Sequence, residues 1–373
     1  MTQKENNGSQ PYDDYKVPEY RVRLFLSVDL TGSTAYKHSH KNPLAWIKSF
    51  QKFYGDFPRI LLQTYQKVGK SIKLNKAEID DGSPKLWKTV GDEILFCCRI
   101  MSIHHLSACI ESFIQSLQQF GESIKDSSLN TKGNAWVASF PIPNSSIMPI
   151  TEKDFSEDSL SGDSELITED IESKADKMPE KFDFLGKGID SGFRISKNSS
   201  INALTISPGL GILLLDACQN KGVTLFKRKL RLADLQSFKG VAKGEPYPVL
   251  VIDVFRDEKY KNIFNAQNKL LGKEYSQDDN ELQLYLSNFL EYYDIEVPSV
   301  KLHFGQEVAP PDFYTEYKKS WEMERNSLIQ RYSEETRAAI NDSNSSESDQ
   351  TLQVQEQFAQ QLADERTATS NVP

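Results

Sequence analysis

From Tyr20 onward the chain alternates cleanly between two faces. Val22, Leu24, Leu26 and Val28 share one side, and Phe25, Ser27 and Asp29 the other, which predicts a strand. A Thr-Gly-Ser-Thr turn follows. Leu44, Ile47, Phe50, Tyr54, Phe57, Leu61, Tyr65 and Val68 then recur at three- and four-residue spacing, the stripe of a helix in which Pro58 predicts a kink. "KLWKTVGDEILFCCRI" reads as two strands around a Gly-Asp turn. Leu106, Cys109, Phe113, Leu117 and Phe120 mark a second helix, and "NAWVASFPI" a strand. "EKFDFLGKGIDSGFRIS" predicts a helix entered through Gly186. "LTISPGLGILLLDACQNKG" predicts a strand and a helix with Ser207 at its N-cap, Pro208 at its first position and Gly222 at its end. "PYPVLVIDVF" is a last strand.

This alternation over residues 20–256 predicts an α+β domain, helices packed on a sheet, with a helical C-terminal extension over 257–340 whose helices fall at 279–293 and near 312–340. Residues 1–19 read as a disordered arm and 341–373, rich in Ser, Gln, Glu and Thr, as a disordered tail. A solvated, mobile insertion is expected over about 144–177, because residues 152–176 carry ten acidic side chains against two basic ones.

Charge narrows the partners. With 373 residues and a formal charge of −9, the chain does not suit a general binder of nucleic acid or anionic membrane. A phosphate-bearing ligand must then be met by a local cluster of cations. Cys97, Cys98, Cys109 and Cys218 lie in apolar runs without CxxC spacing, as reduced core thiols of a cytoplasmic protein do. The polar start, MTQKENNGSQ, lacks the apolar stretch of a signal peptide, and no run reaches the roughly 20 apolar residues of a membrane span. His38, His40, His104 and His105 build no four-ligand zinc spacing and read as ordinary surface or helix residues. The TGST turn exposes backbone amides but lacks a Walker lysine.

Two aspartates carry the chemistry. Asp29 ends a core strand, where a carboxylate costs several kcal/mol unless a cation, a backbone donor or a metal satisfies it. Asp92 sits in the "KTVGDE" turn. Singly, each reads as a turn or cap residue. Together they suit hard divalent cations, which take one or two carboxylates plus substrate phosphates.

"FLSVDLTGST" followed by "KTVGDEILF", then "FDFLGKGIDSGFR", then "FKGVAKGEPYPVLVIDV", resembles the class III nucleotidyl cyclases over roughly residues 20–256. The family reads approximately F-x-D-I-x-G-F-T in its first strand, K-x-x-G-D in its hairpin and Y-D-I-x-G-x-x-V-N-x-A-x-R in its third element. Asp183, Gly186, Ile189 and Arg194 match the third. The resemblance implies a class III cyclase-like sheet flanked by helices, with Asp29 and Asp92 as metal ligands for two Mn²⁺ or Mg²⁺ ions. It makes Lys88 and Asp183 the base-contacting pair and Arg194 the arginine that meets charge developing on the α-phosphate. Asp190 stands where the family usually has Asn at the ribose. The family's pyrophosphate-binding cation has no clean match; Lys177 and Lys181 lie near the place.

Asp190 and the Gly-Phe step before Arg194 resemble the bacterial pyrimidine cyclases of anti-phage signalling more than adenylate cyclases. The implied activity is conversion of UTP, less readily CTP, to the 3′,5′-cyclic nucleotide and diphosphate, a messenger that switches on a separate effector without required direct contact. Lys88 donates only and ionised Asp183 accepts only, a code that all four bases satisfy. Trp87, Phe182 and Phe184 are bulky enough to narrow a base pocket, although aromatic residues in strands more often serve the core. In class III cyclases the metal aspartates of one subunit face the base pair and arginine of the other, so one copy of each motif implies a homodimer with two shared sites. Two alternatives stand beside this: an adenylate cyclase, and a non-catalytic nucleotide-binding dimer. A diguanylate cyclase is disfavoured, because its signature needs a second glycine where Val90 stands.

Overall fold

β1 (Arg21–Thr31) is buried on both faces along almost its whole length, as befits an inner strand of its sheet. In the computed structural model, residues 12–39, 43–149, 166–219, 226–272 and 278–338 are described. They divide into two units. One comprises residues 18–315, and the other residues 1–17 with 316–373.

In the larger unit β2 (Lys85–Val90), β3 (Glu93–Arg99), β4 (Asn130–Phe140), β7 (Ala203–Ile206), β8 (Leu230–Ser237) and β9 (Pro246–Asp253) join β1 in one seven-stranded sheet. Its order is β2-β3-β1-β4-β7-β9-β8, antiparallel except where β4 meets β7. β5 (Asn144–Ile147) and β6 (Asp183–Gly186) form a separate antiparallel pair. The fold is α+β, a central sheet flanked by helices.

On one face lie α2 (Pro43–Ser71), α4 (Ile103–Ser123) and α7 (Pro208–Gln219). Phe57 of α2 meets Phe96 of β3 at 6.0 Å between ring centres, and Phe53 meets Phe120 of α4 at 5.5 Å. α2 continues through Pro58 as a single helix. The predicted cap is present: Ser207 Oγ accepts the Leu210 amide at 3.3 Å. Gly222 lies outside the described residues. On the other face, β5–β6 and α6 (Lys187–Ile195) cover an aromatic cluster. Phe25 stacks on Trp136 at 5.3 Å and meets Phe184 at 5.4 Å, while Gly192 lets α6 approach the Trp136 ring so closely that a Cβ would stand 2.3 Å from it.

The mobile insertion expected over 144–177 is corrected at both ends. Residues 144–147 are β5, and α5 (Glu169–Lys177) is docked against β1; residues 150–165 lie outside the described residues. Three of the four acidic side chains of α5, Glu169, Glu172 and Asp176, have buried partners. Arg23 pairs with Glu172 Oε2 at 2.7 Å and with Asp176 Oδ1 at 2.6 Å, and Arg21 with Asp176 at 2.7 Å and with Glu169. The arm expected to be disordered over 1–19 is corrected from Tyr12 on. The Pro18 carbonyl accepts from the Tyr314 hydroxyl at 2.6 Å, and the Glu19 amide donates to Glu169 at 2.7 Å. Within the smaller unit, Arg325 donates to the Tyr12 and Asp13 carbonyls, each at 3.0 Å. α8 (Glu258–Leu270) and α9 (Asp279–Tyr292) follow the sheet, and 312–338 is helical. The tail, 341–373, lies outside the described residues. Among the described residues no helix is long and apolar enough to cross a membrane.

Candidate active site

Strand register puts Asp29 and Lys88 on one face of the sheet. Asp29 stands opposite Glu93 on β3 and Lys132 on β4, so an acid–acid–base row crosses three strands. The row beneath holds Leu95, Ser27 and Asn134, and the next Cys97, Phe25 and Trp136. Beyond a register shift between Leu86 and Lys88, Lys88 joins the second row by pairing with Leu95, and Val90 the first by pairing with Glu93. β6 and α6, which carry Asp183, Asp190 and Arg194, pack over this same face.

Asp29 has its answer in Lys132, whose Nζ lies 3.1 Å from Oδ2. Asp92 occupies the β2–β3 turn after Gly91, whose φ of +64° suits the first central position of a tight hairpin. The Asp92 carbonyl accepts from the Leu30 amide at 3.2 Å, and its carboxylate accepts from the Ser33 hydroxyl. That hydroxyl opens α1 (Ser33–Ser39), reached through Gly32 at φ +85°, where a Cβ would stand 2.8 Å from the Ser128 carbonyl oxygen. The TGST turn thus serves to bring Ser33 onto Asp92. Glu93 is pushed above the usual carboxylate range, first by burial and then by Asp29 and Asp92, against the Ser27 hydroxyl and Lys132, which pull it down. Three carboxylates therefore share one electrostatic neighbourhood.

Lys88 and Asp183 meet directly, Nζ to Oδ1 at 2.7 Å, with side chains 34% and 43% exposed. The ammonium also lies 4.2 Å from the centre of the Trp87 ring, and the Trp87 indole N–H donates to the Phe182 carbonyl at 3.0 Å. Trp87, Phe182 and Phe184 are buried and belong to the core. Asp183 is held by its neighbours too, since Oδ1 accepts from the Phe184 amide at 3.0 Å. Around the ion pair, Val90, Ile147, Met148 and Leu185 are exposed. Ile147 pairs across the ladder with Asp183, and Leu185 lies two residues along, so both share its face.

Asp190 and Arg194 are one turn apart on α6, on one side of the helix. Asp190 is exposed. Arg194 makes no hydrogen bond or ion pair among the described residues. Its guanidinium lies against the β8–β9 loop at Gly240, where a Cβ would stand 3.2 Å from Nη1 and where φ is +75°. That loop also carries Lys239 and Lys243. Lys177 and Lys181 are exposed at the end of α5 and in the turn after it.

Among the described residues no group of three or more His, Cys, Asp or Glu is arranged to hold a metal. The donor set nevertheless suits a hard cation. Asp29 and Asp92 offer carboxylate oxygen from adjacent strand ends, the ligand type such ions prefer. His105 is a core residue. Burial holds it down to about 4, and Nε2 lies 2.8 Å from the Gly82 carbonyl oxygen. Lys132 was not legible as a site residue; only the β1–β4 pairing brings it to Asp29.

No protein-family model and no curated protein matches the chain. Solved structures similar to it include the adenylyl cyclase CyaB from P. aeruginosa, at 10% identity and a TM-score of 0.39 over 63% of this chain and 94% of that one. The guanylate cyclase domain of RhGC from Catenaria anguillulae in complex with GTP is similar at 12% identity and 0.38, over 63% and 97%. The guanylyl cyclase Cya2 is similar at 13% and 0.36, over 64% and 93%. At these identities and scores the function rests on the site's own residues.

Proposed function

We propose that this chain is a nucleotidyl cyclase acting on a pyrimidine nucleoside triphosphate, UTP ahead of CTP, in a homodimer with shared sites, and that its cyclic product is a messenger in defence against phage. The observation that carries the cyclase reading is the company kept by one sheet face. It carries the Lys88–Asp183 donor–acceptor pair, the Asp29 carboxylate and the Arg194 guanidinium, which has no partner among the described residues, with Asp92 in the turn at its end.

In the reaction, the ribose 3′-oxygen attacks the α-phosphate and diphosphate leaves. The protein has little covalent chemistry to do and works by positioning and neutralising charge. The Lys88–Asp183 pair opens to a base that offers an acceptor beside a donor, each residue exchanging its partner for one of like polarity. Asp190 accepts from a ribose hydroxyl. Arg194, held against Gly240, meets the charge that grows on the α-phosphate, a role worth about 10²- to 10³-fold by comparison with single oxyanion donors. Divalent ions on Asp29 and Asp92, two in the family, would lower the charge of the phosphates and favour the ionised 3′-oxygen.

The exposed Val90, Ile147, Met148 and Leu185 around the base pair support the dimer, since apolar side chains clustered beside a polar site suit a partner surface. The pyrimidine preference rests on Asp190 and the Gly-Phe step of "GIDSGFR". The test is incubation of the purified protein with all four triphosphates and Mn²⁺, followed by product chromatography. Cyclic UMP as the main product supports the whole reading. Cyclic AMP as the main product refutes the pyrimidine step and leaves the cyclase. No cyclic product, with nucleotide bound, favours the non-catalytic dimer.

A further inference from the structure

Lys132 and Asp29 face each other across the β1–β4 ladder with their charged ends 3.1 Å apart. Each side chain keeps 29% of its exposure, so the pair stands at the rim of the sheet and not in its core. A pair exposed to this degree adds little to stability, because water screens it and two side chains must be ordered to form it. Its setting gives it a different weight. Asp29 stands opposite Glu93 on β3, Asp92 precedes Glu93 in the chain, and Lys132 faces Asp29 from β4. Among the described residues Lys132 is the one cation in ion-pair contact with any of the three.

We infer that Lys132 is the resident counter-cation of Asp29 and makes metal loading depend on nucleotide. This inference rests on the assignment of Asp29 and Asp92 as metal ligands. With its ammonium on Oδ2, Lys132 satisfies Asp29 in the empty protein. A divalent ion arriving alone must displace that ammonium or bind beside a like charge, and either weakens it. A triphosphate brings enough negative charge to draw off the ammonium and to complete the ion's ligands. Metal and nucleotide then bind as a coupled pair, each raising the affinity of the other by the same factor. The empty enzyme is thereby kept from collecting free divalent ions at its carboxylates.

The test uses the full chain and Mn²⁺ alone, with free Mn²⁺ followed by electron paramagnetic resonance. Lys132→Gln should bind Mn²⁺ about five- to ten-fold more tightly than the unaltered protein, as expected for removing one positive charge some 6 Å from a divalent ion in a wet site. Lys132→Arg, which keeps the charge, should show no gain. Asp29→Asn added to Lys132→Gln should abolish the gain. A non-cyclisable UTP analogue should raise Mn²⁺ affinity by a larger factor in the unaltered protein than in Lys132→Gln. Equal Mn²⁺ affinities for Lys132→Gln and the unaltered protein, with binding still lost in Asp29→Asn, overturn the role of Lys132 and leave the metal aspartates standing. Mn²⁺ binding that is indifferent to Asp29→Asn overturns both. Lys132→Met serves as a second neutral variant, with melting temperature as the check that each variant is folded.

Discussion

Replacing Arg23 by Met probes how the β5–β6 side of the candidate site is held. The Arg23 and Glu172 side chains are both fully buried. Asp176 would keep Arg21 at 2.7 Å. Glu172 would keep only the Ser146 hydroxyl, 3.0 Å from Oε2, because its Oε1 has no hydrogen-bond partner among the described residues. The substitution therefore strands one buried carboxylate. Removing one partner of a buried ion pair costs about 3–5 kcal/mol. Loss of the guanidinium from over the Phe140 ring, 4.4 Å from its centre, adds on the order of 1 kcal/mol, which the packing of the Met side chain offsets. For a domain of this size each kcal/mol is worth roughly 2–4 °C, so the melting temperature should fall by about 6–20 °C. Calorimetry and urea unfolding measure this, and Glu172→Gln in the same background should recover at least about 2 kcal/mol by removing the stranded charge. A loss below about 1 kcal/mol, or strictly additive effects in the double variant, would refute the reasoning.

Asp29→Ala and Asp92→Ala should each abolish cyclase activity while keeping the melting temperature within about 3 °C, since each loses a polar contact but relieves crowding at Glu93; unchanged turnover in either ends the metal assignment. An Asp29→Ala chain mixed with an Arg194→Ala chain should regain activity, because one of the two sites in the mixed dimer carries neither lesion; failure despite demonstrated subunit exchange excludes a shared site. Burial raises the Glu296 carboxyl to about 7 from an ordinary 4.5, against the hydrogen bonds of Ser139 and Tyr20. Between those values the folded chain holds a proton that the unfolded chain releases, so stability falls by about 3 kcal/mol as pH rises from 4.5 through 7. Glu296→Gln should flatten that slope in urea unfolding at pH 5 and pH 8, and a slope unchanged by the substitution excludes Glu296 as its source.

The sheet's core was readable because its strands alternate strongly and its main helices carry long apolar stripes. Ser207 capped α7 as its position predicts, and the Gly91-Asp92 turn closed the β2–β3 hairpin. What escaped was structure that lacks a local apolar signal. β5 reads only NSSI, and its pairing with β6 joins segments far apart in the chain. β8 is irregular between Leu232 and Asp234, which breaks the alternation that would mark it. α8 buries no residue and so carries no stripe facing a core. α5 misled most. Its acids read as solvated because their partners, Arg21 and Arg23, lie about 150 residues earlier on a largely apolar strand. Lys88 and Asp183 could be named from the motifs, while Lys132 could not, because nothing next to it in the chain distinguishes it from any other lysine.

The two sides of the candidate site rest on different supports, and this limits what each kind of change can do. Asp29, Glu93 and Lys132 belong to the central strands, whose buried side chains pack against α2 and α4 on one face and the aromatic cluster on the other. Moving them means disturbing the core. Asp183 stands on a two-stranded ladder outside the main sheet, and β6 continues directly into α6 with Asp190 and Arg194. That ladder is fastened by aromatic packing through Phe184 and, across Ser146, by the Arg23–Glu172 network. A ladder of two short strands has little stability of its own. The position of Asp183, the proposed base contact, therefore depends on ion pairs with α5. Loosening α5 should shift Asp183 relative to Lys88 while leaving the carboxylate row in place. Variation in the acidic segment is then a route to altering nucleotide affinity without touching the residues assigned to metal.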